Sequence, residues 1–207
     1  MSTKEVAPPA GSGRMPASER RLLILESARE VFGKRGYYGA TTDQIAAAAG
    51  VSQPYVVRMF GSKESLFLEV LDDALQTLLE AFRTALAAAE ARGASPDERR
   101  YAVGAAFIDL ATTRGLHTVL LQAFVSGEEP AIGAAARAGF LEIYRFLVHE
   151  AGANDDEINR FLGSGMLFGV LLGIRMPDVF GADPDATALM QATFGEKCML
   201  VVDAARS

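Results

Sequence analysis

Residues 41 to 63 hold side chains suited to contact with a nucleic acid: Thr41, Thr42, Ser52, Gln53, Pro54, Tyr55, Arg58 and Lys63. The carboxamide of Gln53 can pair bidentately with adenine N6 and N7, and Pro54 can pack on a thymine methyl. Tyr55 adds a ring with a hydroxyl, and Arg58, one turn further on, can grip a phosphate or read a guanine. Recognition helices read mainly with their first turn, which favours phosphate for Arg58. Lys63 follows Ser62, an expected N-cap, so its ammonium and the helix-start N–H groups can hold one phosphate together.

Such groups read DNA only if two short helices present them. Thr41-x-x-Gln44 has capping-box spacing, which would fix the start of a first helix and leave Thr42 free to meet a phosphate. Ile45 and Ala49 share a face of that helix, Gly50 permits the positive φ that ends it, and Ser52 can cap the next one. Val56 and Phe60 then point back at the first helix. The pattern is a helix-turn-helix, although a small helical hairpin inside a core has the same local signature. Upstream, Ile24, Ala28, Val31 and Phe32 form a helical stripe that stops at Gly33-Lys34-Arg35-Gly36-Tyr37-Tyr38, and downstream Gly61-Ser62-Lys63-Glu64 opens another helix.

With these flanks the chain resembles the tetracycline-repressor (TetR) family of transcriptional regulators. The resemblance lies in Phe32-Gly33-Lys34-Arg35-Gly36-Tyr37, Ile45-Ala46-Ala47-Ala48-Ala49-Gly50-Val51-Ser52 and Phe60-Gly61-Ser62-Lys63-Glu64. It implies an all-α protein: an N-terminal three-helix helix-turn-helix DNA-binding domain, here 18–78, and a C-terminal helical ligand-sensing and dimerisation domain, here 79–207. The Gln53-Pro54 pair matches the founding repressor of the family, and Lys63 matches the family's lysine. Three positions depart from the pattern. Val57 stands where a Tyr usually touches the backbone, Met59 where His or Tyr is common, and Asp43 where a basic or small residue often faces DNA. Tyr55 can take over the phosphate contact, and Asp43 would act mainly by excluding wrong sequences.

Charge and composition agree with this layout. The 207 residues carry a formal net charge of −6, but residues 1–71 hold nine Lys/Arg against seven Asp/Glu, so the acidity sits in the remainder. A slightly basic head can approach phosphates while an acidic body discourages wrong-way docking. The single cysteine, Cys198, excludes an intrachain disulfide and points to a cytoplasmic protein. Residues 1–17, with Pro8, Pro9, Gly11, Gly13 and Pro16, lack the apolar run of a signal peptide and read as a disordered tail.

The body reads as further helices. One long helix is expected over 63–90, and Ser95-Pro96-Asp97-Glu98 starts another that reaches Thr113. Others follow over about 116–126 and 131–151, from Asn154 onward, and over about 184–205. The most apolar segment, 161–174, is too short to span a bilayer, so no membrane partner is expected. Gly165, Gly169 and Gly173 recur at every fourth residue and leave a smooth face. That face suits either close packing within one subunit or a homodimer interface, and the resemblance favours the interface, because the family pairs its last two helices about a two-fold axis. A dimer is also what the reader needs, since two recognition helices must enter major grooves about 34–36 Å apart or a multiple of that.

For the sensing function the candidates are Phe82, Phe107, His117, Phe124, Tyr144 and Met166, with Phe140, Phe146 and Phe168 nearby and Tyr101 and Gln122 as further polar anchors. Most aromatics on such helices are core, and it is the resemblance that implies a pocket. Its low charge favours an apolar or aromatic small-molecule effector. With two histidines, one cysteine and no phosphate-loop or paired metal-ligand spacing, neither catalysis, a metal nor a cofactor is expected. The resemblance implies a repressor that leaves a double-stranded inverted-repeat operator when the effector shifts the long helix. A corepressor-dependent regulator and a helical adaptor that has lost DNA binding are the alternatives.

Overall fold

The computed structural model describes residues 16–206. Most of the expected tail, with Lys4 and Arg14, therefore lies outside the described residues, whereas Ala17, its last expected member, opens the first helix. The fold is all-α. In chain order the helices are α1 (Ala17–Gly39), α2 (Thr42–Ala48), α3 (Gln53–Phe60), α4 (Lys63–Ala91), α5 (Pro96–Asp109), α6 (Leu116–Val125), α7 (Pro130–Arg145), α8 (Asp155–Gly173), a single turn α9 (Met176–Val179), α10 (Pro184–Phe194) and α11 (Cys198–Arg206).

Local chemistry sets these boundaries. Capping boxes form at Thr41 with Gln44, Ser95 with Glu98 and Asn154 with Glu157, each pairing a side chain with a backbone N–H in both directions. Gly36 breaks α1 with φ 70°, so only one turn follows before the chain enters α2. Gly50, at φ 65°, makes the turn between α2 and α3. α5 tightens into a 3₁₀ turn at Leu110–Thr112 instead of continuing to Thr113, and α7 widens into a π turn at Phe146–Glu150. The expected last helix over 184–205 is two helices, because Gly195 at φ 52° and a 3₁₀ turn over Gly195–Lys197 interrupt it. No described helix is long and apolar enough to cross a membrane.

The N-terminal helices close on a small core. Phe32 meets Phe67 edge-to-face at 4.9 Å, and Tyr37 meets the same ring at 5.1 Å. Ile24, Ala28, Ile45, Val56 and Phe60 complete it. Each large side chain buried there contributes roughly 1.5–3 kcal/mol. This core is continuous with that of the body. α4 runs unbroken through residue 78, where the expected division falls, and buries Leu66, Val70, Leu78 and Phe82 along one stripe. A second seam joins α1 to the start of α6. Arg29 pairs with Asp73 of α4 at 3.1 Å and donates to the Arg114 carbonyl at 3.0 Å. At Gly115, φ 76°, a Cβ would lie 2.6 Å from the Arg29 carbonyl oxygen, and at Gly33 one would lie 2.4 Å from the Thr118 hydroxyl. Only glycine allows the two helices to approach so closely.

Candidate nucleic-acid interface

α3 is amphipathic. Val56 and Phe60 are buried, whereas Pro54, Val57 and Arg58 are exposed and Gln53 and Tyr55 half-buried. The helix therefore anchors by one face and presents the side chains of the expected reading surface on the other.

Several of those side chains have defined partners. Thr41 caps α2, its hydroxyl accepting from the Gln44 N–H at 3.2 Å. Thr42 Oγ1 accepts a hydrogen bond from Gln53 Nε2 at 3.2 Å and keeps its hydroxyl proton, the group a phosphate oxygen would accept. Gln53 keeps its carbonyl oxygen and one amide proton, the pair a bidentate adenine contact needs. Ser52 occupies the N-cap position of α3, but its side chain makes no capping bond, contrary to expectation. Pro54, the second helical residue, has no N–H to receive, and the Tyr55 N–H already donates to the Ser52 backbone carbonyl at 3.0 Å.

Tyr55 lies between two guanidinium groups. Arg20 sits 5.3 Å and Arg58 5.1 Å from its ring centroid, and Arg20 Nη1 makes a long 3.4 Å contact to its hydroxyl. Sequence spacing did not reveal Arg20, which lies 35 positions away on α1. Arg21 behaves similarly, covering the Phe60 ring at 4.6 Å while pairing with Glu69 of α4. The two arginines of α1 thus tie it to the recognition helix and to the long helix. Such contacts are worth about 0.5–1 kcal/mol each at exposed sites.

Lys63 differs most from expectation. Its ammonium donates to the carbonyls of Tyr37 at 2.9 Å and Ala40 at 3.3 Å and lies 4.5 Å from the Tyr37 ring centroid. Two of its three protons therefore satisfy the frayed end of α1, and only one is left for a phosphate. Neighbouring Ser62 caps α4 as expected, accepting from the Ser65 N–H at 3.0 Å. Asp43 is exposed in the first turn of α2, where its charge complements the helix dipole whatever it does toward a ligand.

In the body, a cavity of about 50 Å³ is lined by Leu78, Phe107, His117, Phe124, Met166 and Gly169 among others. Phe107, His117, Phe124 and Met166 are thus brought together as expected. Phe82 and Tyr144 are not. Phe82 is fully buried against Phe146 and Phe161, and Tyr144 is exposed on α7. Gln122 packs over the kink glycine Gly36, away from the cavity, and Tyr101 is 73% exposed on a wider outer groove of about 790 Å³. Phe107, Phe161 and Gly165 line both spaces and form the wall between them. His117 lies between Phe107 at 4.6 Å and Phe168 at 4.2 Å, and neither of its nitrogens has a hydrogen-bond partner. Burial pushes its pKa down to about 3, and a backbone group of Phe107 opposes the shift without completing a hydrogen bond.

Of the glycine face of α8, Gly169 is buried, Gly165 half-buried and Gly173 exposed. A Cβ at Gly165 would lie 3.5 Å from the Phe107 ring, and at Gly169 and Gly173 it would lie 3.7 and 3.6 Å from Leu121. Within the subunit these glycines lie against α5 and α6, the packing that a small-residue face also suits. The exposed apolar residues of α8 are Met166, Leu167, Val170 and Ile174, a helical stripe. α10 packs beside α8 through Phe168 and Phe194, 4.9 Å between rings, and exposes Leu189.

Residues 24–70 match the family model described as bacterial regulatory proteins, tetR family. The chain is 44% identical over 82 residues to the HTH-type transcriptional activator FasR of Mycolicibacterium smegmatis, covering 38% of this chain and 37% of that one. It is 33% identical over 90 residues to the HTH-type transcriptional repressor AcnR of Corynebacterium glutamicum, covering 44% and 47%. The chain thus matches less than half the length of these curated relatives. A crystal structure of a TetR-like transcriptional regulator from Rhodococcus sp. RHA1 superposes with a TM-score of 0.59 at 23% identity, over 93% of this chain and 97% of that one. At that identity the likeness concerns the fold.

Proposed function

We propose that this chain, whose residues 24–70 match the TetR family model, is a dimeric helix-turn-helix repressor of that family, released from an inverted-repeat operator by a small apolar or aromatic molecule. Residues 18–78 would be the DNA-binding unit and 79–207 the sensing and dimerising unit. The observation that carries the reading is the outward face of α3, where Gln53, Pro54, Val57 and Arg58 stand on a helix anchored by Val56 and Phe60.

In the proposed complex α3 enters the major groove. Gln53, steadied by Thr42, reads adenine, while Pro54 and Val57 meet thymine methyls. Arg58, the Tyr55 hydroxyl, Thr42 and Ser52 contact the backbone. Lys63 contributes chiefly by pinning the end of α1, with its remaining proton directed to phosphate. The exposed α8 stripe with Leu189 of α10 is the proposed homodimer face, which would set the two heads at the spacing of two half-sites.

Effector binding in the body must favour a conformation that fits those half-sites poorly. Moving the population from nearly all bound to nearly none takes roughly 5.5 kcal/mol of preference between the two states. The cavity supports two routes to the head. Leu78 places α4 on its wall, and His117 places α6 there, next to Gly115 and Thr118 at the close seam with α1. An activator is the second reading, favoured by the identity to FasR over the head. The test is footprinting on the recovered operator with transcription measured from its promoter. A repressor lowers transcription when it occupies the site and an activator raises it.

A further inference from the structure

We propose that the effector carries one neutral hydrogen-bonding oxygen, a hydroxyl or a carbonyl, on an otherwise apolar ring or chain, and that His117 is the residue that binds that oxygen. The assignment rests on the ligand-sensing reading above and deepens it by naming the polar group.

His117 is the one polar side chain among the described residues that line the apolar cavity. It is 5% exposed, and neither nitrogen is hydrogen-bonded. A buried polar group left in this condition costs stability, and an apolar side chain of similar shape between Phe107 and Phe168 would not. The imidazole is therefore poorly explained as core packing. A neutral imidazole offers one N–H donor and one bare acceptor nitrogen, so a ligand hydroxyl can serve either and a carbonyl the donor alone. A carboxylate would do worse. It would have to shed its own water in an apolar cavity, and it would meet a ring that burial keeps uncharged. No Lys or Arg is among the lining residues to compensate it.

Size narrows the class further. At about 50 Å³ the cavity is well below the roughly 300 Å³ of sites for drug-sized ligands. A longer ligand must part the wall formed by Phe107, Phe161 and Gly165, beyond which lies the outer groove. A ring or chain that displaces Phe107 would keep its oxygen at His117 and extend its apolar part toward α5 and α8.

Phenol, benzene and benzoate share one ring and differ only in the polar group, so together they test that group. Titration calorimetry on the full-length protein is expected to give phenol at least about tenfold tighter than benzene, with benzoate weaker than phenol. In His117→Leu the preference for phenol should vanish while benzene still binds. An imidazole nitrogen NMR spectrum gives a readout that needs no variant, since the chain has two histidines. Phenol should shift the His117 signals, benzene should not complete the same change, and His149 should stay still. Equal binding of phenol and benzene, a phenol preference that survives His117→Leu, tighter benzoate, or unmoved His117 signals would overturn the assignment while leaving a binding cavity. If none of the three probes binds, the assignment falls together with the ligand-sensing reading of this cavity, while the reading of α3 is untouched.

Discussion

Gln53 Nε2 donates to Thr42 Oγ1 at 3.2 Å, so the first residue of the recognition helix is held by the first residue of the helix before it. The carboxamide is thereby oriented before any base approaches, which reduces the side-chain entropy lost on binding. Gln53→Ala should cost roughly 1–3 kcal/mol at one base pair and relax specificity there. Thr42→Val, which keeps the shape and removes the acceptor, should weaken the same base preference by a smaller amount. The double variant should lose less than the two single losses added together, as coupled residues do. Competition binding on operators varied one base pair at a time measures all three. A uniform loss on every sequence for Gln53→Ala would remove it from the reading role.

Lys63 and Arg58 are expected to separate by salt dependence. Arg58→Ala removes an exposed cation and should lower the slope of log K against log salt by about 0.9 if it contacts one phosphate. Lys63→Met removes two charge-assisted bonds to the Tyr37 and Ala40 carbonyls and should destabilise the fold by about 1–3 kcal/mol. Its binding loss should be similar on all sequences, with a smaller change in salt slope than Arg58→Ala. Denaturant unfolding combined with a salt series on one duplex distinguishes the two roles.

Much of this arrangement was legible in the sequence. The capping boxes at Thr41, Ser95 and Asn154 and the turn at Gly50 form where their spacing places them, because such signals act within a few residues. Most of what was missed concerns neighbours distant in sequence. Arg20 stacks on Tyr55 from 35 positions away, and no local pattern records that. A small-residue stripe does not say which helix lies against it, and within the subunit the glycines of α8 meet Phe107 of α5 and Leu121 of α6 at ordinary contact distance. Aromatic content likewise could not separate Phe107, on the cavity wall, from Phe82, fully buried beside it. Ser52 failed as a cap for a local reason, the missing N–H of Pro54.

The dimer face is expected on α8 at Met166, Leu167, Val170 and Ile174, with Leu189 of α10. Val170→Arg is 42% exposed at its starting residue, so it should leave the subunit folded while introducing a charge into a desolvated contact. Sedimentation should show a monomer, and operator affinity should fall by at least about a hundredfold as the second half-site is lost. A variant that remains dimeric would place the interface elsewhere.

His117 should leave a signature in the pH dependence of stability. Its pKa is about 3 in the folded protein because burial disfavours the cation, against about 6.5 when unfolded. Below about 6.5 the unfolded chain therefore binds a proton that the native state refuses, and stability falls as the solution is acidified. Above that value the effect is absent. Between pH 6.5 and 5 the wild type should lose about 1.6 kcal/mol more than His117→Leu. Urea unfolding of both proteins at the two pH values gives the difference, and parallel losses would mean that the imidazole is not buried in its neutral form.

A helix α3 that reads a two-fold operator should select specific DNA from a mixture of fragments. The purified full-length protein is mixed at low salt with fragmented genomic DNA from its own source, and the retained pieces are sequenced. Fragments sharing an inverted repeat whose half-sites lie about 34–36 Å apart or a multiple of that are expected to be enriched, with the enrichment lost in the Gln53→Ala protein. Absence of any enriched sequence from the wild-type protein would contradict that reading of α3 and leave a helical adaptor as the better description of the chain.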